Sequence, residues 1–285
     1  NACTFCSIPL MRGKFRSRSI ESIINEASQL AQQGVKEISL IAQDSTNYGT
    51  DLYDRFMLPE LLQRVSEVPG IEWVRLHYAY PGYFTDELID TIASNPKICN
   101  YVDMPLQHSE DHILRKMRRP GRQRDARALI AKIRERIPDV ALRTSIIVGF
   151  PGETEEDFER LCQFVEEIKF DRLGVFTYSA EEGTPAVRLP DQVPEETKEW
   201  RAHTLMELQR KIATEQNEKH VGKILDVLVE RYDKESNVYI GRTQYDAPEI
   251  DGEVFISNCQ AQIGEMQKVR ITHAYEYDLS GEGVQ

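Results

Sequence analysis

Cys3 and Cys6, in the run Asn1-Ala2-Cys3-Thr4-Phe5-Cys6-Ser7-Ile8-Pro9, are the residues near the start of the chain best suited to chemistry. A lone C-x-x-C fits half of a zinc site, a redox dithiol, or chance. No second C-x-x-C follows, so a four-cysteine zinc site is not expected. Cys99, Cys162 and Cys259 stand alone and read as small core or surface residues. The pair's context is more specific: its interior residue Phe5 is aromatic, and Arg12, Lys14, Arg16 and Arg18 follow. A second set of reactive residues closes successive apolar runs: Gln43-Asp44-Ser45, Tyr78, Gln107-His108-Ser109, Gly149 to Glu153, and Tyr178-Ser179. One polar run end is ordinary loop chemistry; five in succession point to a site. Arg143 differs from these because it lies inside an apolar run, where a charge needs a partner.

The elements that would position these residues alternate. Residues 36–43, 73–79, 101–106, 141–150 and 172–179 read as strands, nearly continuous in apolar character, as strands buried on both faces are. Between them lie helical patterns: Ser19 precedes apolar residues at helical spacing and Gly34 stops that helix, Thr85 opens another, and 123–136 and 154–168 behave alike. Strand, helix, strand, repeated, predicts parallel βαβ units, either an α/β barrel or an open doubly wound sheet. In a barrel the carboxyl ends of the strands build the site. After Leu189 a Pro-containing acidic linker, 190–194, leads into a long helix reaching about His220. Beyond it the period becomes two: 223–231, 237–243, 253–257 and 268–274 predict a small antiparallel barrel of OB-like size. The boundary is placed between residues 217 and 218.

Net charge is −12. From Glu218 onward there are 7 Lys+Arg and 13 Asp+Glu, hence −6 in the last quarter of the chain. That sign opposes counterion-releasing nucleic-acid binding and suits a basic protein. Five irregularly spaced cysteines do not describe a secreted disulfide scaffold, so a reducing cytoplasm is expected. No run approaches the roughly 20 apolar residues of a membrane helix.

The opening run resembles the end of the C-x-x-x-C-x-x-C motif of radical S-adenosylmethionine (SAM) methylthiotransferases. Leu142 to Thr154 (LRTSIIVGFPGET), Tyr101 to His108 and Tyr178 to Pro185 are similar to further segments of that family, and residues after 218 resemble its TRAM domain. The resemblance implies a partial (β/α)6 barrel of radical SAM type over residues 1–217, followed by a TRAM-like barrel over 218–285. It makes Cys3 and Cys6 ligands of a 4Fe–4S cluster and assigns Phe5, Gln43 and Arg143 to SAM. Arg143 would thereby find its partner in the SAM carboxylate or ribose. It also implies that a first cluster cysteine lies two residues before Asn1, that this stretch is a fragment expected to be inactive without its upstream region, and that an auxiliary 4Fe–4S cluster belongs to an N-terminal domain. The run Gly241 to Gly252 (GRTQYDAPEIDG) is similar to the branch acting on an aspartate β-carbon of ribosomal protein S-twelve. Asp246, Glu249 and Asp251 would then meet that basic protein, and flavodoxin or ferredoxin would supply electrons. The alternative branch acts on adenosine in transfer RNA, a partner the acidic tail disfavours.

Overall fold

The computed structural model describes residues 3–119 and 123–284; the cysteine expected upstream of Asn1 lies outside them. Five parallel strands follow one another in chain order: β1 (Glu37–Leu40), β2 (Trp73–Leu76), β3 (Tyr101–Asp103), β4 (Ala141–Val148) and β5 (Arg172–Thr177). β1 pairs with β2, and β3, β4 and β5 form a second ladder. Cys99 N bonding to Val74 O at 2.9 Å and Ala79 N to Asp103 O at 2.8 Å join the two ladders into one curved layer. The strands are shorter than the apolar runs that predicted them.

Helices lie between the strands: α1 (Ile8–Arg12), α2 (Ile20–Gln32), α3 (Leu58–Ser66), α4 (Asp86–Ser94), α5 (Asp111–Lys116), α6 (Gln123–Arg136), α7 (Glu155–Ile168) and α8 (Glu195–Glu218). Their starts follow from local chemistry. Ser19 and Thr85 accept the N–H groups of Ser22 and Leu88, and Thr154 forms a capping box with Asp157. Each cap satisfies an N–H that the first helical turn would otherwise leave unpaired. The core lies between the layer and the helices, around Leu62, Val65, Ile89, Ile92, Ile146, Leu161 and Phe164.

One expectation is corrected here. β2 and β3 are buried on both faces as expected, but β4 is not: Leu142, Thr144, Ile146 and Val148 are buried, while Arg143, Ser145 and Ile147 are only partly covered. This alternation has the period of two that a strand imposes, and the inner face is the more open one.

The second unit is a closed barrel in the order β10-β8-β7-β6-β9, made of β6 (Ile224–Asp233), β7 (Val238–Thr243), β8 (Val254–Ser257), β9 (Met266–Ala274) and β10 (Leu279–Gly283). Val227, Val229, Val254, Ile256, Val269, Ile271 and Leu279 fill it. Leu279–Gly283 was not expected as a strand, because LSGEG carries a single large apolar residue. It also pairs in parallel with β8, so the barrel is not wholly antiparallel.

Candidate active site at the carboxyl ends of the strands

The cysteine turn is stitched to the carboxyl-end loops of the α/β layer. Thr4, 5% exposed, donates its N–H to Met117 O (3.0 Å) and its hydroxyl to Lys116 O (2.7 Å), and accepts Ala186 N at 2.9 Å. Cys6 N bonds back to Cys3 O at 3.4 Å, so both thiols sit on one turn, free and half-buried. Phe5 packs edge-on to Phe150 at 6.5 Å, and Phe150 does the same to Tyr178 at 5.2 Å. Sequence thus sets the spacing, and burial of Thr4 and Phe5 sets which way the turn faces.

The turn after β4 is held from below. Glu153 is buried and accepts Gly149 N at 2.8 Å and Phe150 N at 3.3 Å through one oxygen, while Arg201 of α8 meets the other at 2.9 Å. Gly149 has φ +71°, and a Cβ there would collide with the Lys198 side chain. The missing Cβ leaves room for Lys198, whose ammonium donates to Tyr178 O at 3.0 Å. Three buried polar atoms at this end make no hydrogen bond among the described residues, the Tyr178 hydroxyl, Arg201 Nε and His108 Nε2, although the last lies 3.4 Å from Glu153 Oε2. Two non-glycine residues, Tyr78 and Gln107, are held at φ +55° and +75° just past β2 and β3. Such backbone costs of order 1–3 kcal/mol per residue and clusters at functional sites.

These residues fit a thiolate-bound iron–sulfur cluster. Soft, unoxidised donors sit side by side on an anchored turn, next to buried polar groups with unmet hydrogen-bonding capacity. Cys3 and Cys6 would hold two of its irons.

The other expected site residues lie outside the cysteine turn. Gln43 is exposed three residues past the end of β1 rather than closing the strand, because the ladder stops at Leu40. Arg143 has partners inside the chain. It bonds Asp103 at 3.1 Å, and its Nε lies 3.5 Å from Asp251. It lies five residues before the last residue of β4 and pairs in register with Asp103, the last residue of β3. Burial opposes its charge, yet Tyr101, Asp103 and Asp251 keep its pKa raised.

Asp246 and Asp251 are corrected as well. Both carboxylates are buried, at 2% and 3% exposure, and so offer no surface to a partner. The segment Arg242–Asp251 closes the amino-terminal end of the layer and touches groups from all five strands. Glu37 of β1 takes Arg242 (2.9 Å), and Arg75 of β2 donates to Gln244 O (2.8 Å). Tyr101 of β3 donates to Asp251 (2.6 Å). Arg143 of β4 faces Asp251, and Arg172 of β5 meets Asp246 at 2.5 Å. Only Glu249 of the three acids is exposed, at φ +66°. The sequence reading missed Arg75 and Arg172, although the signal that singled out Arg143, a charge within an apolar strand, was present in both.

Two further features stand apart. Glu110, His112 and Asp157 bring possible ligand atoms within 4.8 Å of one another, but Arg160 pairs with both carboxylates and Asp157 caps α7. A cavity of about 370 Å³ lined by Arg134, Lys219, His220 and Tyr245 lies at the amino-terminal end and shares no residue with the cysteine turn.

A parallel layer with a cysteine turn at its carboxyl ends, followed by a small closed barrel, defines a radical SAM core with an appended β-barrel. Comparison with known proteins agrees. The model of the radical SAM superfamily matches residues 1–165 and that of the TRAM domain residues 221–284, and the chain belongs to the radical SAM superfamily. It is 54% identical over 284 residues to the ribosomal protein uS12 methylthiotransferase RimO of Desulforamulus reducens, covering 99% of this chain and 64% of that protein. It is 51% identical over 286 residues to the protein of the same name from Desulfitobacterium hafniense, covering 100% and 64%. The chain therefore spans under two thirds of these relatives' length. Among solved structures it resembles the radical SAM methyltransferase TsrM of Kitasatospora setae, with cobalamin and a 4Fe-4S cluster bound. There the TM-score is 0.51 and identity 19%, over 65% of this chain and 36% of that one. Streptococcus suis SuiB bound to S-adenosylmethionine matches with TM-score 0.50 and 16% identity, over 74% and 45%. At these identities the likeness concerns the fold.

Proposed function

We propose that this chain is the catalytic core of an enzyme that methylthiolates the β-carbon of an aspartate in ribosomal protein uS12. The observation that carries the reading is the anchored Cys3–Cys6 turn at the carboxyl ends of the strands. The relatives' names supply the substrate. When bound, the cluster and SAM supply a 5′-deoxyadenosyl radical, able to take hydrogen from an unactivated C–H bond that acid–base groups cannot activate. The chain's own residues do the rest. Cys3 and Cys6 ligate iron, and Thr4 fixes their turn against Lys116, Met117 and Ala186. Phe5, Phe150 and Tyr178 exclude water beside it. Glu153 and Arg201 hold the Gly149 turn that carries Phe150.

In this reading SAM binds at the same end, close to Phe5, and not at Arg143. Glu249, on the outer face of the small barrel, meets the basic substrate. A second, auxiliary 4Fe–4S cluster would supply the sulfur, and flavodoxin or ferredoxin would be the electron donor. The setting is cytoplasmic, in keeping with described helices none of which is long and apolar enough to cross a membrane.

The test is anaerobic reconstitution of a protein extended upstream to the relatives' length, incubated with SAM, reductant and uS12. The expected result is a methylthio mass increment on one aspartate, lost in Cys3→Ala and Cys6→Ala. Modification of transfer RNA instead, with uS12 untouched, would overturn the substrate.

A further inference from the structure

Tyr78 is the anomaly of the carboxyl-end mouth. Its φ is +55°, which bulky side chains rarely adopt, and its ring is 43% exposed just past β2. Neighbouring groups impose that shape. Its N–H donates to Asp103 Oδ2 at 3.2 Å, its carbonyl accepts Ser45 N at 3.1 Å, and Ala79 N donates to Asp103 O at 2.8 Å. Asp103 is wholly buried, and its other oxygen takes Arg143 at 3.1 Å. Arg143 Nε then lies 3.5 Å from Asp251 Oδ1, in the small barrel. Asp251 directly follows the exposed pair Glu249 and Ile250. A carboxylate–guanidinium–carboxylate chain therefore runs from an outer tip of the small barrel to the backbone of a mouth residue some distance away.

Close by, Tyr80 stacks against Tyr83 at 5.3 Å and Tyr83 against Phe56 at 5.6 Å, the last two exposed. Aromatic side chains are enriched where protein surfaces meet, so an exposed row of them suits a bound peptide segment. We propose that the small barrel sets the conformation of Tyr78 through Asp251, Arg143 and Asp103, and that Tyr78 positions the acceptor segment of the protein substrate. Asp103 and Arg143 are positioning residues in this scheme, and the role of Tyr78 rests on the function proposed above.

Three measurements test it. Glycine adopts positive φ freely, so Tyr78→Gly keeps or raises the melting temperature of the chain despite losing a ring. In the upstream-extended holoenzyme the same change raises KM for a uS12 peptide bearing the target aspartate about tenfold, with kcat and the KM for SAM within about twofold. Hydrogen exchange reads the coupling without turnover: Asp251→Asn speeds exchange of the Tyr78 amide, and Asp103→Asn speeds it further. A lower melting temperature with unchanged peptide KM in Tyr78→Gly would make Tyr78 a structural residue. A KM rise confined to SAM would set the ring against the cofactor and overturn the acceptor assignment. If the wild-type holoenzyme modified no peptide, the proposed function would fail on its own. Unchanged Tyr78 exchange in Asp251→Asn would still overturn the coupling.

Discussion

The two ends of the α/β layer are built to opposite rules. At the amino-terminal end, Glu37, Arg75, Arg172 and Asp246 are all buried, and each meets an opposite charge within 2.6 Å. At the carboxyl end the thiols are half-covered, Leu10, Met11, Ile41 and Phe176 are more than half exposed, and the Tyr178 hydroxyl and Arg201 Nε are buried without hydrogen-bond partners. Buried polar groups are ordinarily satisfied, so the ion-paired end, where His220 Nδ1 is the exception among the described residues, contributes stability, and the open end carrying the thiols is where chemistry is done. The same residue type serves both ends differently. Arg201 steadies a turn of the mouth, whereas Arg172 locks two units together.

Breaking the sealed end gives the largest effect. Removing one partner of a buried ion pair leaves an uncompensated charge and costs about 3–5 kcal/mol. Asp246→Ala, which strands Arg172, is expected to lose that much in denaturant titration, and Arg172→Met added to it recovers part. A loss below about 1 kcal/mol would mean that the seal is ornamental. At the mouth, Gly149→Ala demands a positive φ of alanine and a shift of Lys198. It is expected to cost about 1–3 kcal/mol in the same titration.

Acid distinguishes the ends further. Burial, with Lys223 beside it, lowers the His220 pKa to about 4. The unfolded chain takes that proton near pH 6.5, so it binds more protons than the fold between the two values. Stability is therefore lost as pH falls from about 6.5 to about 4, and His220→Phe flattens that slope in thermal melts. Asp103 and Glu37 act at lower pH. Burial raises both, but His77 and Arg143 hold Asp103 below the usual carboxylate range, and Arg75 and Arg242 hold Glu37 there. Their contribution is present above the unfolded values and lost as pH falls through the folded ones. The smallest effect belongs to Glu249→Gln, within about 0.5 kcal/mol in stability because the side chain is exposed. It should nevertheless slow association with uS12 at low salt more than at high salt, read by surface binding across a salt series.

Much of this was legible in the sequence, for identifiable reasons. Periodicity and caps located the helices that begin after Ser19, Thr85 and Thr154, because a cap is chemistry within four residues. The five parallel strands were visible as apolar runs, and the cysteine turn as a spacing. What the sequence hid was direction and partnership. Asp246 and Asp251 look like a solvated acidic turn until the fold brings Arg172 and Arg143, 74 and 108 positions away, against them. Gln43 looks like a strand end because Ile41 is apolar, yet Ile41 is 66% exposed beyond the ladder. Long-range ion pairs carry no local signature, so charge alone misplaced two of three acids.

The central claim is that the mouth holds the cluster and the sealed end does not. Electron paramagnetic resonance of the reduced, reconstituted, upstream-extended protein, with and without SAM, tests it most directly. The expected result is a 4Fe–4S signal that SAM perturbs, abolished by Cys3→Ala or Cys6→Ala and retained in Asp246→Ala whenever that variant is folded. A SAM-sensitive signal surviving both cysteine changes would contradict it.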